Sequence, residues 1–476
     1  MIFNSFQFLW LFPLIFGGYY TISYLLRKKE QGKGSNILLL LISYALYMQY
    51  VPWYALVLLW ITFITYFMAI CITVSDKNKK TICWLGTMLG ITPLMVFKYY
   101  NFIIDNVNEV LGHGNLPGLN WAIPIGISFF SFQAIGYLVD VYKERIPVER
   151  NFLDYALFVS FFPQIMSGPI SRASDLLPQI KSKRTFNDTK AVQGLKWLLW
   201  GIFLKTVMAD RLGLYVDSVY DNFQYQSGFS CLVASFMYTM QIYGDFAGYS
   251  LMAIGVGRLM GFDLVNNFNR PYFAASITEF WKRWHISLTR WLTTYIYIEL
   301  GGNRCSKPRQ YWNVMITFLV SGIWHGANWT FILWGVMHGL LQCTEKILGI
   351  DPKGKYASLP LYRRLKPVRI LVTFLLVNIA WILFRLPSLD VASIVFGKIF
   401  TWEGSRLFLP SNSTLGFMLI SLTIVISKEI CEEYFSKVQL FNNQSTIVRW
   451  SSYLMVIALI MLCGVFDSSQ FIYVKF

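Results

Sequence analysis

The chain alternates long runs of apolar residues with short polar connections. Residues 34–75 contain no charged side chain, and as one helix this run would be about 60 Å long, twice the hydrocarbon thickness of a bilayer. It must therefore fold back on itself, and the expected turn is near Pro52. A second uncharged run, residues 310–344, has basic residues on both flanks, so it is also expected to enter and leave on the cytoplasmic side.

Shorter apolar runs occupy much of the remaining chain. They lie near residues 81–97, 116–139, 153–171, 192–209, 222–257, 370–384, 407–427 and 450–466. Several are too short or too polar for simple crossings, so the pattern predicts an all-α polytopic membrane protein with about ten or eleven transmembrane helices plus re-entrant and interfacial helices. Nothing marks a separable soluble domain, and residues 1–476 are expected to form a single membrane-embedded domain.

The chain begins with an uncharged run, residues 1–26, which Arg27-Lys28-Lys29 follows. Because it lacks a basic segment before the apolar residues, we interpret it as a first membrane span and not as a cleaved signal peptide. The basic patches at 27–33 and 76–80 are then expected in the cytoplasm, with the N-terminus outside.

The composition excludes an ordinary water-soluble protein. Of the 476 residues, 55% are hydrophobic and 14% are charged, whereas a soluble domain carries about 25% charged residues. The formal net charge of +16 comes from basic residues in short loops, which is typical of cytoplasmic connections. The sequence has no basic face with interleaved aromatic residues, so nucleic-acid binding is not expected. The seven cysteines are scattered without a Cys-x-x-Cys pair, so neither a disulfide framework nor a metal site is expected.

Ionisable residues inside membrane segments are costly, which makes each of them a functional candidate. The sequence has four histidines, and His325 lies within the second long uncharged run, in Trp324-His325-Gly326. Glycines such as Gly322 and Gly326 are expected to break the helices there, where backbone lines a polar cavity. A histidine in such a place could take a proton from a hydroxyl. A core histidine bonded to neighbouring carbonyls is the equally weighted alternative, and His113, in a loop, is not expected to be functional.

His285 lies in a segment rich in aromatic and charged residues. Glu279 and Arg283 are four residues apart and can pair on one helical face. An interfacial amphipathic helix, in which the histidine is incidental, is the alternative interpretation. Its nearness to the Gly301-Gly302-Asn303-Arg304 cluster argues only slightly against that alternative.

Two further polar residues stand in apolar surroundings. His338 follows His325 by thirteen residues, about 220° around a continuous helix, so packing or a hydrogen bond is its expected role. Asp245 is a carboxylate in an otherwise uncharged stretch. It could orient a histidine or pair with an arginine such as Arg258.

Taken together, a series of ordered motifs resembles the membrane-bound O-acyltransferase family, and specifically its alginate O-acetylase branch. The order and spacing hold over residues of about 90–345, with looser similarity at both ends. The matching stretches are Phe97 to Phe102, Pro124 to Gln133, Phe161 to Gln164, Ser167 to Ile170, the Asp245 segment, Asn267 to Tyr272, the His285 segment, Gly301 to Arg304, and Trp324 to Gly326. Relatives often have Phe at the position of Gly244 and Asp at that of Leu251, which are departures near Asp245.

The resemblance implies a cupped bundle of membrane helices around a central tunnel, with His325 as the principal catalytic histidine and His285 as the second. The supporting residues expected around them are Asp245, Trp324, Asn328, Asn303, Arg304 and Arg283. The family moves an acyl group from a cytoplasmic thioester, such as acetyl-CoA, to an acceptor reached from the other side, with no permanently bound cofactor and no metal. This branch serves O-acetylation of exopolysaccharides or cell-wall glycans. The implied partners are the lipid bilayer of the cell (inner or plasma) membrane, the glycan, and a periplasmic or extracellular acetyl-transfer protein.

In the mechanism that we expect, His325 is the general base on an acceptor hydroxyl, and His285 holds the donor or the developing oxyanion. A histidine that carries the acyl group transiently is an alternative. D-alanyl transfer to teichoic acid is the second activity within the family. A transporter or flippase is the hypothesis from a different class, and it predicts ionisable residues spread over several spans.

Overall fold

We describe a computed structural model of the protein, in which residues 3, 5–25, 33–49, 51–112, 116–409, 411–435, 439, 441–466 and 472 are described. Every regular element in these ranges is helical. His113 and most of the basic patch at 27–33 lie outside them. The chain divides into two compact units, residues 1–198 with 252–265, and residues 199–251 with 266–476.

The first unit is built from helices, and several of them are strongly apolar. Its helices are α1 (Phe6–Leu25), α2 (Lys33–Met48), α3 (Tyr54–Val74), α4 (Lys79–Leu94), α5 (Tyr100–Leu111), α6 (Ile127–Tyr142), α7 (Phe152–Ser160), α8 (Ala173–Lys181) and the start of α9 (Asp188–Ile202). The predicted turn near Pro52 is confirmed, because α2 ends at Met48 and α3 begins at Tyr54. A π-helical turn, Met95–Tyr99, joins α4 to α5.

A buried guanidinium ties the polar connections of the first unit to its helices. Arg184 donates through Nε to the Tyr19 hydroxyl at 2.7 Å and to the Ile180 carbonyl at 2.9 Å, and it also bonds the Asn36 side chain. Its charge lies 4.4 Å from the centre of the Phe262 ring. Partners from four segments, which include the Gln179 carbonyl at 2.6 Å, satisfy this buried charge, as an interior arginine requires.

The second unit carries all of the predicted site residues. Its helices are α10 (Asp210–Tyr220), α11 (Gly228–Leu259, which continues into the first unit), α12 (Ile277–Arg283), α13 (Ile286–Leu292), α14 (Lys307–His325), α15 (Trp329–Leu348), α16 (Pro360–Arg364), α17 (Lys366–Arg385), α18 (Leu389–Phe400), α19 (Asn412–Tyr434) and α20 (Thr446–Cys463). The second predicted fold-back is confirmed as the α14–α15 hairpin.

The prediction that Gly322 breaks a helix was wrong. Helix α14 continues through Gly322 to His325, and the break falls at Gly326–Asn328. Gly322 instead permits a close approach of two backbones. A Cβ at Gly322 would lie 2.4 Å from the Phe331 carbonyl oxygen, and a Cβ at Gly335 would lie 2.4 Å from the Phe318 carbonyl oxygen. The two glycines let α14 and α15 cross with their backbones in contact.

The described residues contain six helices that are long and apolar enough to cross a membrane: 7–25, 54–74, 79–111, 366–385, 412–434 and 446–463. Two shorter apolar helices, 34–48 and 127–142, accompany them. The all-α polytopic prediction is therefore confirmed. The expected ten or eleven crossings would have to include helices shorter or more polar than these six.

Candidate active site

His325 is the last residue of α14 and is 4% exposed. Three aromatic rings surround its imidazole, with centroids 4.9 Å away for Trp324, 4.9 Å for Trp334 and 5.1 Å for Phe384. Trp334 comes from α15, and it reaches His325 because Gly322 and Gly335 allow the close helix crossing. The ring is therefore held at the end of a helix inside an aromatic enclosure.

The turn after His325 is fixed by Asn328. Its side chain accepts a hydrogen bond from the Thr330 backbone N–H at 3.0 Å, which caps α15, and its amide nitrogen donates to the Pro387 carbonyl at 2.6 Å. These are the contacts of a helix cap and loop anchor. Asn328 thus supports the site by ordering the chain next to His325.

His285 occupies a tight turn between α12 and α13, where its φ of 43° lies in the left-handed region. Residues other than glycine seldom adopt this conformation unless the surroundings favour it. Asn267 holds the turn in this conformation. Its backbone carbonyl accepts a hydrogen bond from the Ile286 N–H at 3.0 Å, and its side-chain oxygen accepts one from the Ser287 N–H at 3.1 Å. Asn267 is itself buried and donates to the Ser250 hydroxyl.

Trp324 lies against both candidate catalytic histidines. Its ring centroid is 5.9 Å from that of His285 and 4.9 Å from that of His325. On its other side His285 packs edge-on against Phe246, at 4.6 Å. Two histidines that are 40 positions apart in the sequence are therefore brought to one tryptophan.

His285 is fully buried, and it lies outside the six long apolar helices. Burial lowers the pKa of His285 to about 3, since a low-dielectric surrounding disfavours the charged ring. The imidazole is neutral at cellular pH. A neutral imidazole carries one donor and one acceptor nitrogen, so it can donate a hydrogen bond to a developing oxyanion.

Arg283 anchors the end of α12, two residues before His285. Its guanidinium binds both carboxylate oxygens of Glu433, from α19, at 3.0 Å each, and it pairs with Glu279 at 2.8 Å. The predicted Glu279–Arg283 pair is thus confirmed. Arg270 binds the same Glu433 carboxylate at 2.8 Å. This network holds the segment that leads into the His285 turn.

Asp245 belongs to a buried charge cluster. Lys205 donates to Asp245 at 2.6 Å and to Asp210 at 2.6 Å, and the backbone N–H of Ile472 donates to the other Asp245 oxygen at 2.9 Å. The predicted partner Arg258 pairs with Asp263 instead. Its pairing with Asp245 was therefore wrong, since a lysine on the π-helical turn after α9 reaches the carboxylate.

A cavity of about 180 Å³ lies beside this site in the second unit. Its polar wall is formed by hydroxyl, amide and ammonium groups, and Trp281 forms part of the apolar wall. The lining includes Thr289, Thr293, Tyr297, Asn303, Thr317, Ser321, Gln342 and Lys346. Ser321 is one helical turn before His325, and Leu288, three residues after His285, also lines the cavity.

The Gly301-Gly302-Asn303-Arg304 cluster lies at this cavity in part. Asn303 lines it and accepts a hydrogen bond from the Tyr297 hydroxyl at 2.7 Å. Arg304 is exposed and is not among the lining residues. The amide of this motif therefore faces the cavity, and the guanidinium remains accessible to solvent or lipid headgroups.

Sequence reasoning missed several residues that shape the site. Glu345, near the end of α15, accepts from the backbone N–H groups of Ile277 and Thr278 and so caps α12. Asn267 fixes the His285 turn, and Glu433 holds Arg283. Only Asn267 had a signal, since it begins one of the ordered motifs. The partners of the two glutamates come from distant segments that no spacing rule connects.

The profile of the membrane-bound O-acyltransferase family matches residues 2–349. The chain belongs to the membrane-bound O-acyltransferase family. The match also covers the residues before 90, where the motifs indicated looser similarity. Membership makes the chain an acyltransferase, and the transporter hypothesis is set aside.

The relatives of this O-acyltransferase are named for alginate, peptidoglycan or teichoic acid. It is 39% identical to the probable alginate O-acetylase AlgI of Pseudomonas aeruginosa, over 86% of this chain and 77% of the relative. It is 35% identical to the peptidoglycan O-acetyltransferase of Helicobacter pylori, over 82% and 78%. Similarity to the teichoic acid D-alanyltransferase of Streptococcus thermophilus is lower, 27% over 65% and 77%. The O-acetylase resemblance is confirmed.

Proposed function

We propose that the protein transfers acetyl from a cytoplasmic thioester to hydroxyl groups of an exopolysaccharide or cell-wall glycan outside the membrane. The observation that carries this proposal is the pair of buried histidines, His285 and His325, packed against Trp324 beside a cavity that has both apolar and polar walls. The names of the two O-acetyltransferase relatives support acetyl as the group. The lower identity to the D-alanyltransferase makes D-alanyl transfer the less supported activity.

In the proposed reaction His325 is the general base. Its imidazole takes the proton of the attacking hydroxyl while that oxygen bonds to the thioester carbonyl carbon. The carbonyl oxygen becomes an oxyanion, to which the neutral His285 donates a hydrogen bond. The tetrahedral intermediate collapses by breaking the carbon–sulfur bond, and the leaving thiolate takes the proton from His325. Ester and free thiol are the products.

The cavity is the proposed place for the arm of the thioester donor, which we take to be acetyl-CoA. A pantetheine arm is a chain of methylene groups interrupted by two amides, and the cavity offers both apolar walls and hydroxyl or amide partners. Lys346 provides a cation suited to the phosphate at the end of such an arm. The donor would then point its thioester toward Ser321 and, one turn further, toward His325.

Where acetyl leaves the membrane, the glycan or a second protein must receive it. We propose that the protein works in the plasma membrane, or the inner membrane of a cell with two, with a periplasmic or extracellular acetyl-transfer partner. This placement agrees with the origin of the donor, since acetyl-CoA is made inside the cell and envelope glycans are outside.

The proposal is tested by His325→Ala in the native cell. We expect the alkali-released acetate of the envelope polysaccharide to fall to background, with normal amounts of membrane-inserted protein. His113→Ala is the matched control, because it removes the histidine that the sequence places in a loop, and it should retain wild-type acetylation. Full acetylation in the His325→Ala strain would refute the role of His325. Release of D-alanine in place of acetate would refute acetyl as the transferred group.

A further inference from the structure

His338 is a buried histidine that the proposed reaction does not use. It lies on α15 with no exposed surface. The indole N–H of Trp281 donates to its Nδ1 at 3.3 Å, which fulfils the expected hydrogen bond. Its Nε2 has no hydrogen-bond partner among the described residues. Nδ1 is therefore the atom through which His338 makes a directed contact.

The indole N–H in this contact fixes the tautomer and the protonation state of the His338 imidazole. An indole nitrogen can only donate a hydrogen bond, so Nδ1 must be the unprotonated nitrogen and Nε2 must carry the ring proton. A protonated imidazolium would place two N–H groups against each other. The contact exists only with neutral His338 in this one tautomer.

Trp281 connects His338 with both functional regions. Its indole is 5% exposed and forms part of the cavity wall. It packs edge-on against Trp334 at 5.6 Å. Trp334 in turn lies 4.9 Å from His325 on one side and 4.9 Å from His338 on the other. An indole that changed its angle would alter the width of the cavity.

Aromatic packing alone does not explain a histidine at this position. The rings of Phe280, Phe318 and Trp381 also lie within 6.4 Å of its centroid, and a phenylalanine would fill the same space. What a phenylalanine lacks is the Nδ1 acceptor for the Trp281 N–H, the directed contact that sets the angle of the indole.

We infer that His338 is a positioning residue, whose Nδ1 holds the Trp281 indole at one angle as a wall of the donor cavity. The link to the donor rests on the proposed function, since it takes the cavity as the place of the thioester arm. Disturbing His338 should therefore weaken donor binding more than it slows acyl transfer.

Two substitutions separate the effect of losing the hydrogen-bond acceptor from the effect of changing the side-chain volume. His338→Phe keeps a ring and removes the acceptor, whereas His338→Asn is smaller but places a carbonyl oxygen near the position of Nδ1. We expect His338→Phe to raise the KM for acetyl-CoA roughly tenfold, about the worth of one lost hydrogen bond, because the indole is no longer held at the angle that shapes the cavity, with a smaller change in kcat. His338→Asn should restore a KM close to that of the wild type. Trp281→Phe removes the donor, so adding His338→Phe to it should raise KM no further.

A spectroscopic measurement tests the contact between His338 and Trp281 without acetyl-CoA. The protein is labelled with 5-fluorotryptophan in detergent, and the resonance of Trp281 is assigned by its loss in Trp281→Phe. We expect this resonance to shift or broaden in His338→Phe and to return toward its wild-type position in His338→Asn. An unchanged resonance in His338→Phe, or equal effects of Phe and Asn, would overturn the inference. Absence of acetyl-CoA turnover by the wild type would instead refute the proposed donor, while the fluorine spectra still decide the contact.

Discussion

His285 combines a strained backbone with a buried neutral ring. Its φ of 43° is maintained by hydrogen bonds from the following turn to Asn267, and its side chain is fully buried against Phe246 and Trp324. Asparagine is the residue other than glycine that best tolerates the left-handed region. His285→Asn therefore removes the titratable ring without imposing a new backbone conformation.

This residue predicts a pH dependence of stability. The folded pKa of about 3 lies below the ordinary value of 6.5, so between these values the unfolded chain binds a proton that the folded ring does not. The contribution of the neutral ring to stability is complete above pH 6.5 and is lost as the pH falls toward 3. One such group changes the free energy of unfolding by about 1.4 kcal/mol per pH unit well below 6.5.

We expect the unfolding temperature of the wild type in detergent to fall more steeply from pH 7.5 to pH 5 than that of His285→Asn. Scanning fluorimetry of the two proteins at several pH values measures the difference. Parallel pH profiles would contradict the burial of a neutral imidazole at this position.

Some of the residue-scale site could be predicted from the sequence. Because ionisable groups are scarce in this apolar chain, His325 and His285 could be predicted as site residues. The four-residue spacing predicted the Glu279–Arg283 pair. The position of Trp324 between the two histidines could not be predicted, because it depends on how segments 40 positions apart pack. The same holds for Asp245, whose Lys205 partner comes from a separate turn of the chain.

At the scale of helices, the α14–α15 crossing sets the position of His325. Gly322 and Gly335 face each other there, and an added methyl group at either would meet a backbone carbonyl at 2.4 Å. Gly416 in α19 is a helical glycine with no atom within 4 Å of an added Cβ. These positions provide a matched comparison within one protein.

We expect Gly335→Ala to destabilise the protein by about 1 to 3 kcal/mol, the usual cost of overpacking, and to lower acyl transfer because the helices must separate next to His325. Gly416→Ala should be neutral or stabilise by up to about 1 kcal/mol, since alanine favours helix. Thermal unfolding and turnover of both variants decide the matter. Equal effects of the two substitutions would show that the crossing is not tightly packed.

Helix α12 is a second element whose placement depends on distant residues. Glu345 caps its N-terminus, where the backbone N–H groups of Ile277 and Thr278 meet the carboxylate. The negative charge also interacts favourably with the positive end of the helix dipole. At the other end, Glu433 binds Arg283.

We predict that Glu345→Gln lowers stability by about 1 kcal/mol, the typical loss of a helix cap, and raises the KM for the donor because α12 carries Trp281. Glu109→Gln, at an exposed glutamate in α5, is the control and should leave both quantities unchanged. The prediction fails if unfolding temperature and KM of Glu345→Gln equal those of the control.

For the whole molecule, the pattern of apolar runs predicted the two fold-backs well, since length alone forces a run of about twice the bilayer thickness to turn. The number of crossings was harder to predict. The helices around the site are short, such as α12 and α13 with seven residues each, and their stability comes from contacts with other helices. Local hydropathy does not depend on such contacts, so it does not predict these short helices.

We infer that the protein passes acetyl across a membrane by means of His325. Purified protein is reconstituted into liposomes of one orientation, with labelled acetyl-CoA on the cytoplasmic face and glycan fragments enclosed on the other. We predict that the wild type moves label onto the enclosed glycan with release of CoA, and that equally folded His325→Ala does neither. Transfer by His325→Ala at the wild-type rate would contradict the role of His325, and wild-type label that stays on the donor side would contradict transfer across the membrane.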